Sequence, residues 1–124
     1  MNIVDTSGWL EYIADSSNAI HYEKSILNTN ELIVPTIVLY EVFKKILNEY
    51  NEDKALIITA HMKLGKVIEL DESLAINAAK ISSEKKLPMA DSIIYATAER
   101  YNATIYTQDE HFAKLNNVKY FKKK

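Results

Sequence analysis

The sequence has 124 residues, a length that fits one domain able to bury about two thirds of its unfolded surface in a core. Its hydrophobic share of 48% and charged share of 26% are ordinary for a globular protein and exclude the disordered and fibrous classes. The formal net charge of -2 excludes a protein that holds nucleic acid by bulk positive charge, so any nucleic-acid contact must be local.

Residue types and segments that the sequence lacks restrict the kinds of metal site and the cellular location that we expect. There is no cysteine, so disulfides and thiolate metal sites are excluded, and oxygen and imidazole remain as metal ligands. No apolar stretch approaches the roughly 20 residues of a membrane helix. No internal repeat or linker divides the chain. We therefore expect one cytoplasmic domain over residues 1–124.

Short apolar runs alternate with longer helical patterns along the whole chain. Five runs predict strands, at Asn2–Val4, Leu32–Val34, Val67–Leu70, Thr104–Tyr106 and Val118–Phe121. The segments between them predict helices at about Gly8–Ala14, Asn18–Leu27, Thr36–Tyr50, Glu52–Leu64, Glu72–Lys85 and Met89–Tyr101, with a short one after Asp109. Strands that alternate with helices favour an α/β fold with a parallel sheet covered on both faces.

Helix-capping residues mark two of the predicted helix starts. Thr36 follows Pro35 and is predicted to cap its helix. Asp71 or Ser73 is predicted to cap the helix that begins near Glu72.

Acidic residues are the strongest functional signal, and the candidates are Asp5, Glu41, Asp91 and Asp109. Asp5 ends one apolar run and Asp109 follows another, so both are predicted at the carboxyl ends of parallel strands, where such sheets bind their ligands. Carboxylates brought together would repel one another and raise one another's pKa values unless a cation joins them. Oxygen ligands of this kind suit a hard divalent cation such as Mg²⁺.

Each acid also has a purely structural interpretation. Asp5 and Asp109 could be helix N-caps, and Asp91 could simply complement the dipole of the helix whose first turn it occupies. Glu41 is the hardest case, because it falls on the polar side of its helix and could be a surface residue paired with Lys45. Periodicity alone leaves these alternatives open.

Other catalytic machinery is missing from the sequence. The histidines His21, His61 and His111 show no HExxH or similar spacing, so a transition-metal site is not expected. The sequence contains no GxSxG elbow, GxxxxGK loop or GxGxxG turn. It therefore shows no motif for acyl transfer or nucleotide hydrolysis.

In combination, the acidic segments resemble the PIN-domain family, especially its small single-domain VapC toxins. The resemblance spans nearly the whole chain. Its carriers are Asp5-Thr6-Ser7 with Trp9, Glu41 within Pro35–Val42, Asp91 within Leu87–Ala98, and Asp109 within Thr107–Phe112.

The resemblance implies a three-layer α/β/α sandwich with a central parallel sheet and a Mg²⁺- or Mn²⁺-dependent endoribonuclease using one or two ions. By position, Asp5, Glu41 and Asp91 would be core catalytic and metal-binding acids and Asp109 the more variable fourth. Supporting hydroxyls would come from Thr6, Ser7 and Thr107.

The resemblance also implies partners and a biological role. The partners would be an RNA substrate such as tRNA, a VapB-like antitoxin and a second copy of the chain in a homodimer. The role would be the toxin of a type II toxin–antitoxin pair. Two alternatives stay open, an RNA-processing PIN nuclease outside such a pair and a PIN-like binding module that no longer cleaves.

A phosphoacceptor signalling domain also places aspartates at strand ends, but the adjacent acids expected at its first strand are missing.

Overall fold

One parallel sheet organises the protein, described here from a computed structural model that covers all residues 1–124. Its strands are β1 (Asn2–Val4), β2 (Leu32–Pro35), β3 (Lys66–Ile68), β4 (Thr104–Thr107) and β5 (Val118–Tyr120). They lie in the order β3-β2-β1-β4-β5, and all four pairs are parallel. The predicted strands are confirmed, with ends displaced by at most two residues.

Six helices connect and cover the strands. They are α1 (Thr6–Ala14), α2 (Ile20–Leu27), α3 (Thr36–Glu49), α4 (Glu52–Met62), α5 (Glu72–Lys85) and α6 (Met89–Tyr101), and two short 3₁₀ turns lie at Thr29–Glu31 and Glu110–Phe112. The architecture is the α/β fold expected from the sequence, with helices on both faces of the sheet. None of the helices combines the length and the apolar character needed to cross a bilayer.

The core is built on the central strands. Ile3, Ile33 and Ile105 occupy one register level across β1, β2 and β4, and all three are fully buried. Strands buried on both faces read as continuous apolar runs, which is why these short segments were recognisable without alternation. Because β1 and β4 are paired and buried, their ends are held next to each other.

The strand order reverses direction at β1. From β1 the chain builds outward through β2 to β3, and then returns to the other side of β1 with β4 and β5. In open α/β sheets, such a reversal leaves a crevice beyond the carboxyl ends of the two strands that flank it. Here those ends are followed by Asp5 and by Gln108 and Asp109.

The predicted caps differ in outcome. Asp71 caps α5 by accepting a hydrogen bond from the Leu74 N–H at 2.8 Å, as expected. The prediction that Thr36 caps its helix is wrong, because the N-cap is Pro35 and Thr36 is already helical. Its hydroxyl oxygen instead accepts a bond from the Leu70 N–H, 3.3 Å away, beyond the end of β3.

Gly8→Ala in α1 is expected to destabilise the protein although alanine is the better helix former. A Cβ at Gly8 would lie 2.6 Å from Val4 Cγ1 and 2.8 Å from Tyr22 Cδ1. Val4 and Tyr22 are fully buried and cannot withdraw. Such overpacking costs about 1–3 kcal/mol of unfolding free energy, measurable by urea denaturation.

Gly65→Ala is the matched control for this substitution. Its Cβ would lie 3.0 Å from the Leu32 backbone oxygen and 3.1 Å from the Leu32 side chain, longer approaches than at Gly8, so the loss of stability should be smaller. Equal losses in the two variants would show that the close approach at Gly8 does not govern the packing of α1.

Candidate active site

Asp5 lies at the point where β1 meets α1. Its side chain is 3% exposed. Its Oδ1 atom accepts hydrogen bonds from the Gly8 N–H at 2.9 Å and the Ser7 hydroxyl at 2.7 Å, and Oδ2 accepts one from the Thr107 hydroxyl at 2.6 Å. Burial nevertheless raises the pKa of Asp5 to about 6, because the loss of solvation outweighs these hydrogen bonds. Asp5 is therefore both the N-cap of α1 and a carboxylate fixed at the crevice.

Glu41 is held toward the same region by a hydroxyl group. The Thr6 hydroxyl donates to Glu41 Oε1 at 2.6 Å, which links the first turn of α1 to α3. The surface alternative, in which Glu41 pairs with Lys45, is wrong, because Lys45 pairs with Glu49 at 2.7 Å. Glu41 is only partly exposed, and no basic side chain neutralises it.

Asp91 and Asp109 meet around one histidine. His111 Nδ1 lies 3.0 Å from Asp91 Oδ2 and 3.0 Å from Asp109 Oδ1. Asp109 also caps the second 3₁₀ turn, since its Oδ1 accepts a bond from the His111 N–H at 2.9 Å. The structural interpretation of Asp109 as a cap thus holds together with its place in the cluster.

The electrostatics of Asp91 link the four acids. The pKa of Asp91 is raised to about 6, chiefly by burial and next by the negative charge of Asp109. His111 acts in the opposite direction, while the charges of Asp5 and Glu41 also raise the pKa. Because such charge effects fall with distance, the structure brings all four predicted acids into one electrostatic neighbourhood.

The predicted hydroxyls support this arrangement. Thr107 donates to Asp5 and accepts a bond from the Asp109 N–H at 2.9 Å, so one buried side chain ties two of the acids together. Ser7 accepts a bond from the Gln108 N–H at 3.2 Å while donating to Asp5. These contacts fix the direction of the Asp5 carboxylate and the position of the Asp109 backbone beside it.

A buried amide network behind the site escaped the sequence interpretation. The Gln108 amide donates to Glu11 Oε1 at 3.1 Å, and the Asn18 amide donates to Gln108 Oε1 at 3.0 Å. The Asn18 amide also donates to the Lys122 carbonyl at 3.1 Å, which attaches the C-terminal segment to the sheet end. No local motif announces this network, because its members come from three distant parts of the sequence.

His111 was also missed. The sequence interpretation considered only whether the histidines clustered with one another, and none was assigned to the acidic site. The available signal was its spacing, because His111 follows Asp109 by two residues in a segment predicted to form a short helix. Its side chain is 57% exposed, so it closes the outer side of the cluster.

The donor set fits a divalent cation. One oxygen each from Asp91 and Asp109 and a ring nitrogen of His111 all lie within 4.8 Å of one another. No lysine or arginine forms a salt bridge with Asp5, Glu41, Asp91 or Asp109. Converging carboxylates without a lysine or arginine partner, two of them with raised pKa values, are stabilised by a hard cation that prefers oxygen ligands.

Thr107→Val should weaken both the fold and the cation site. Thr107 is fully buried, and valine would leave Asp5 Oδ2 and the Asp109 N–H without their shared partner. Unpaired buried groups cost about 1–3 kcal/mol, so urea denaturation should detect the loss, and calorimetry should detect weaker Mn²⁺ binding.

Thr97→Val provides the control, since Thr97 is equally buried in α6 but donates only to the Ile93 carbonyl, which also serves the helix. It should leave Mn²⁺ affinity unchanged. Unchanged Mn²⁺ affinity in Thr107→Val would contradict the supporting role of Thr107.

A model of the PIN domain family matches residues 3–118. Among solved structures, the chain is similar to one in a toxin–antitoxin complex from Klebsiella pneumoniae, with a TM-score of 0.81, 18% identity and coverage of 96% of each chain. It is also similar to a chain of DNA-bound VapBC from Salmonella typhimurium, with a TM-score of 0.76, 17% identity and coverage of 98% of each chain. No curated protein sequence matches.

A third similar structure is a sarcin-ricin loop cleaving VapC toxin from Mycobacterium tuberculosis. Its TM-score is 0.72 at 16% identity, with coverage of 95% of this chain and 98% of that one. At these identities, the structural likeness establishes the fold. It agrees with the match to the family over nearly the whole chain.

Proposed function

The chain belongs to the PIN-domain family, and from this premise we propose that it is a metal-dependent endoribonuclease that hydrolyses RNA phosphodiester bonds. The observation that carries the proposal is the convergence of Asp5, Glu41, Asp91 and Asp109 at the end of the sheet, with no lysine or arginine paired to any of them and only His111 beside Asp91 and Asp109. A binding module without activity would have no need to keep so many mutually repelling carboxylates.

One or two Mg²⁺ or Mn²⁺ ions are the proposed cofactors, held by Asp5, Glu41, Asp91 and Asp109. When bound, such an ion acidifies water and offsets the negative charge that develops on a phosphodiester under attack. The residues supply the geometry. Asp5 is fixed by three hydrogen bonds and Glu41 by one, so their orientations are set before a substrate arrives.

The protein's own charge contributes little to holding RNA. With a net charge of -2, the backbone must be attracted locally, through the cations and a few lysines. Discrimination among RNAs would then depend on folded shape or on unstacked bases that reach the site. A folded RNA such as tRNA is therefore a suitable first substrate.

We further propose that this nuclease is the toxin of a type II toxin–antitoxin pair. The support is that two of the similar structures are a toxin–antitoxin complex and a DNA-bound VapBC complex. A VapB-like antitoxin could inhibit by placing a cationic side chain among the carboxylates, where it would compete with the metal. In this role the chain would act in the cytoplasm as a single domain of residues 1–124 and as a homodimer.

The test is cleavage of folded tRNA and of a structured RNA pool by purified protein without an antitoxin. Cleavage should occur with Mg²⁺ or Mn²⁺ and stop with EDTA. Cleavage that continues in EDTA would contradict metal dependence. A folded protein that neither cleaves RNA nor binds Mn²⁺ would refute the shared acidic site and favour a binding module.

A further inference from the structure

His111 adds an imidazole nitrogen to the carboxylate oxygens of the acidic site. Its Nδ1 atom lies at the same distance, 3.0 Å, from Asp91 Oδ2 and from Asp109 Oδ1. The first acid comes from α6 and the second follows β4, so the ring sits at the junction of two separately anchored elements. A surface histidine paired by chance would not need to face two carboxylates at once.

The two distances from His111 Nδ1 to the carboxylate oxygens are compatible with shared ligation of one octahedral cation. An octahedral ion with bonds of about 2.1 Å holds neighbouring ligand atoms about 3.0 Å apart. Tetrahedral zinc, with bonds of similar length, would hold them about 3.3 Å apart. The two distances of 3.0 Å from His111 to the carboxylates are close to the octahedral value, and they also equal the length of an ordinary N–H···O hydrogen bond.

The turn that carries His111 is anchored on both sides of the ring. The Asp109 carboxylate accepts a bond from the His111 N–H, and the next residue, Phe112, is fully buried. The ring itself is exposed, so an ion from solvent can reach Nδ1 without opening the core. The backbone is thus fixed while the donor atom remains accessible.

We propose that His111 Nδ1 is a metal ligand beside Asp91 and Asp109, and that this nitrogen makes the position favour Mn²⁺ over Mg²⁺. Mg²⁺ prefers oxygen ligands and keeps several of its waters, whereas transition-metal ions accept imidazole more readily. This inference deepens the proposed nuclease function, since it concerns the same cation site, and it assigns a ligand beyond the four carboxylates.

The test uses electron spin echo spectroscopy of bound Mn²⁺, which detects a ¹⁴N nucleus directly bonded to the ion. Wild-type protein should show this coupling, and His111→Leu should lose it. Calorimetry should show Mn²⁺ affinity falling about tenfold or more in His111→Leu, with a much smaller change for Mg²⁺. His61→Leu is the matched control, because His61 is also exposed but lies on α4, which carries none of the acids.

Three results would overturn the inference. The first is Mn²⁺ binding to wild-type protein without ¹⁴N coupling, and the second is coupling that persists in His111→Leu. The third is tighter binding of both ions in His111→Leu, as expected if the imidazole were a positive charge competing with the metal. Metal-dependent RNA cleavage without ¹⁴N coupling would contradict the role of His111 as a ligand and support the nuclease function. Coupling without RNA cleavage would support the role of His111 as a ligand and contradict the nuclease function.

Discussion

Asp91→Asn is expected to reduce metal-dependent RNA cleavage by about 100-fold or more while the protein remains at least as stable as the wild type. Asp91 is the acid on which the charges of Asp5, Glu41 and Asp109 act together. An asparagine side chain keeps the shape but offers a cation only a neutral oxygen. Cleavage should therefore fall even though the site keeps its packing.

The stability part of this prediction follows from the raised pKa of Asp91. Burial and the neighbouring acids raise that pKa to about 6, so the ionised carboxylate is unfavourable in the folded protein at neutral pH. The amide removes this cost. Residues kept for function at the expense of stability behave in this way when they are replaced.

The measurement combines cleavage rates with urea denaturation at pH 7. Asp53→Asn is the matched control, because Asp53 also lies in the first turn of a helix, α4, away from the site. It should change neither cleavage nor stability. Full cleavage by Asp91→Asn would place Asp91 outside the catalytic machinery, and a joint loss of cleavage and stability would indicate a structural role.

The second large effect is a loss of stability as pH rises from about 4 to 7 in the absence of divalent cations. The pKa of Asp5 and the pKa of Asp91 are both raised to about 6 in the folded protein from the 3.8 of an unperturbed aspartate. A raised pKa means that the folded state binds protons more tightly than the unfolded chain does. The associated stability is present at pH below the unfolded pKa and disappears as pH passes through the folded pKa.

The magnitude for Asp5 alone is about 3 kcal/mol, since each pKa unit corresponds to about 1.4 kcal/mol. Asp71 acts in the opposite direction, because its hydrogen bonds with Arg100 lower its pKa to about 2. Its contribution is lost only as pH falls below about 4, so a series between pH 4.5 and 8 keeps the contribution of Asp71 nearly constant.

Urea denaturation across that series provides the measurement, with Asp5→Asn as the diagnostic variant. Asp5→Asn should flatten the decline. Added Mn²⁺ should stabilise the wild type more at pH 7.5 than at pH 4.5, because protons compete with the cation for the carboxylates. A wild-type stability that stays constant or rises over this range would show that Asp5 and Asp91 ionise without a folding cost.

The elements were predictable because their signals are local. The ends of α5 and α6 match the expected residues, and the strands differ by at most two residues at either end. Apolar runs and helical periodicity are properties of neighbouring residues, so they can be found without knowledge of the fold. The predicted cap at Thr36 was wrong because the Thr36 hydroxyl accepts a hydrogen bond from the Leu70 N–H beyond β3. Neighbouring residues in the sequence do not reveal this contact.

The site was predictable only in part. Asp5 and Asp109 could be identified because strand ends are visible in the sequence, and parallel strands bring those ends to one edge. Glu41 could not be settled by periodicity, because its deciding partner, Thr6, is 35 residues away. His111 was overlooked because its two carboxylate neighbours belong to different elements.

By itself, the sequence determined the alternation of strands and helices, the parallel sheet and the identity and order of the four acids. Only the tertiary structure decided that β1 lies between β2 and β4, that Thr107 joins Asp5 to Asp109, and that His111 faces two carboxylates. The physical reason is the separation along the sequence of the residues that interact. Helix and strand patterns arise from bonds and faces shared by near neighbours, whereas hydrogen bonds and charge interactions at the site depend on distances between residues as many as 102 positions apart.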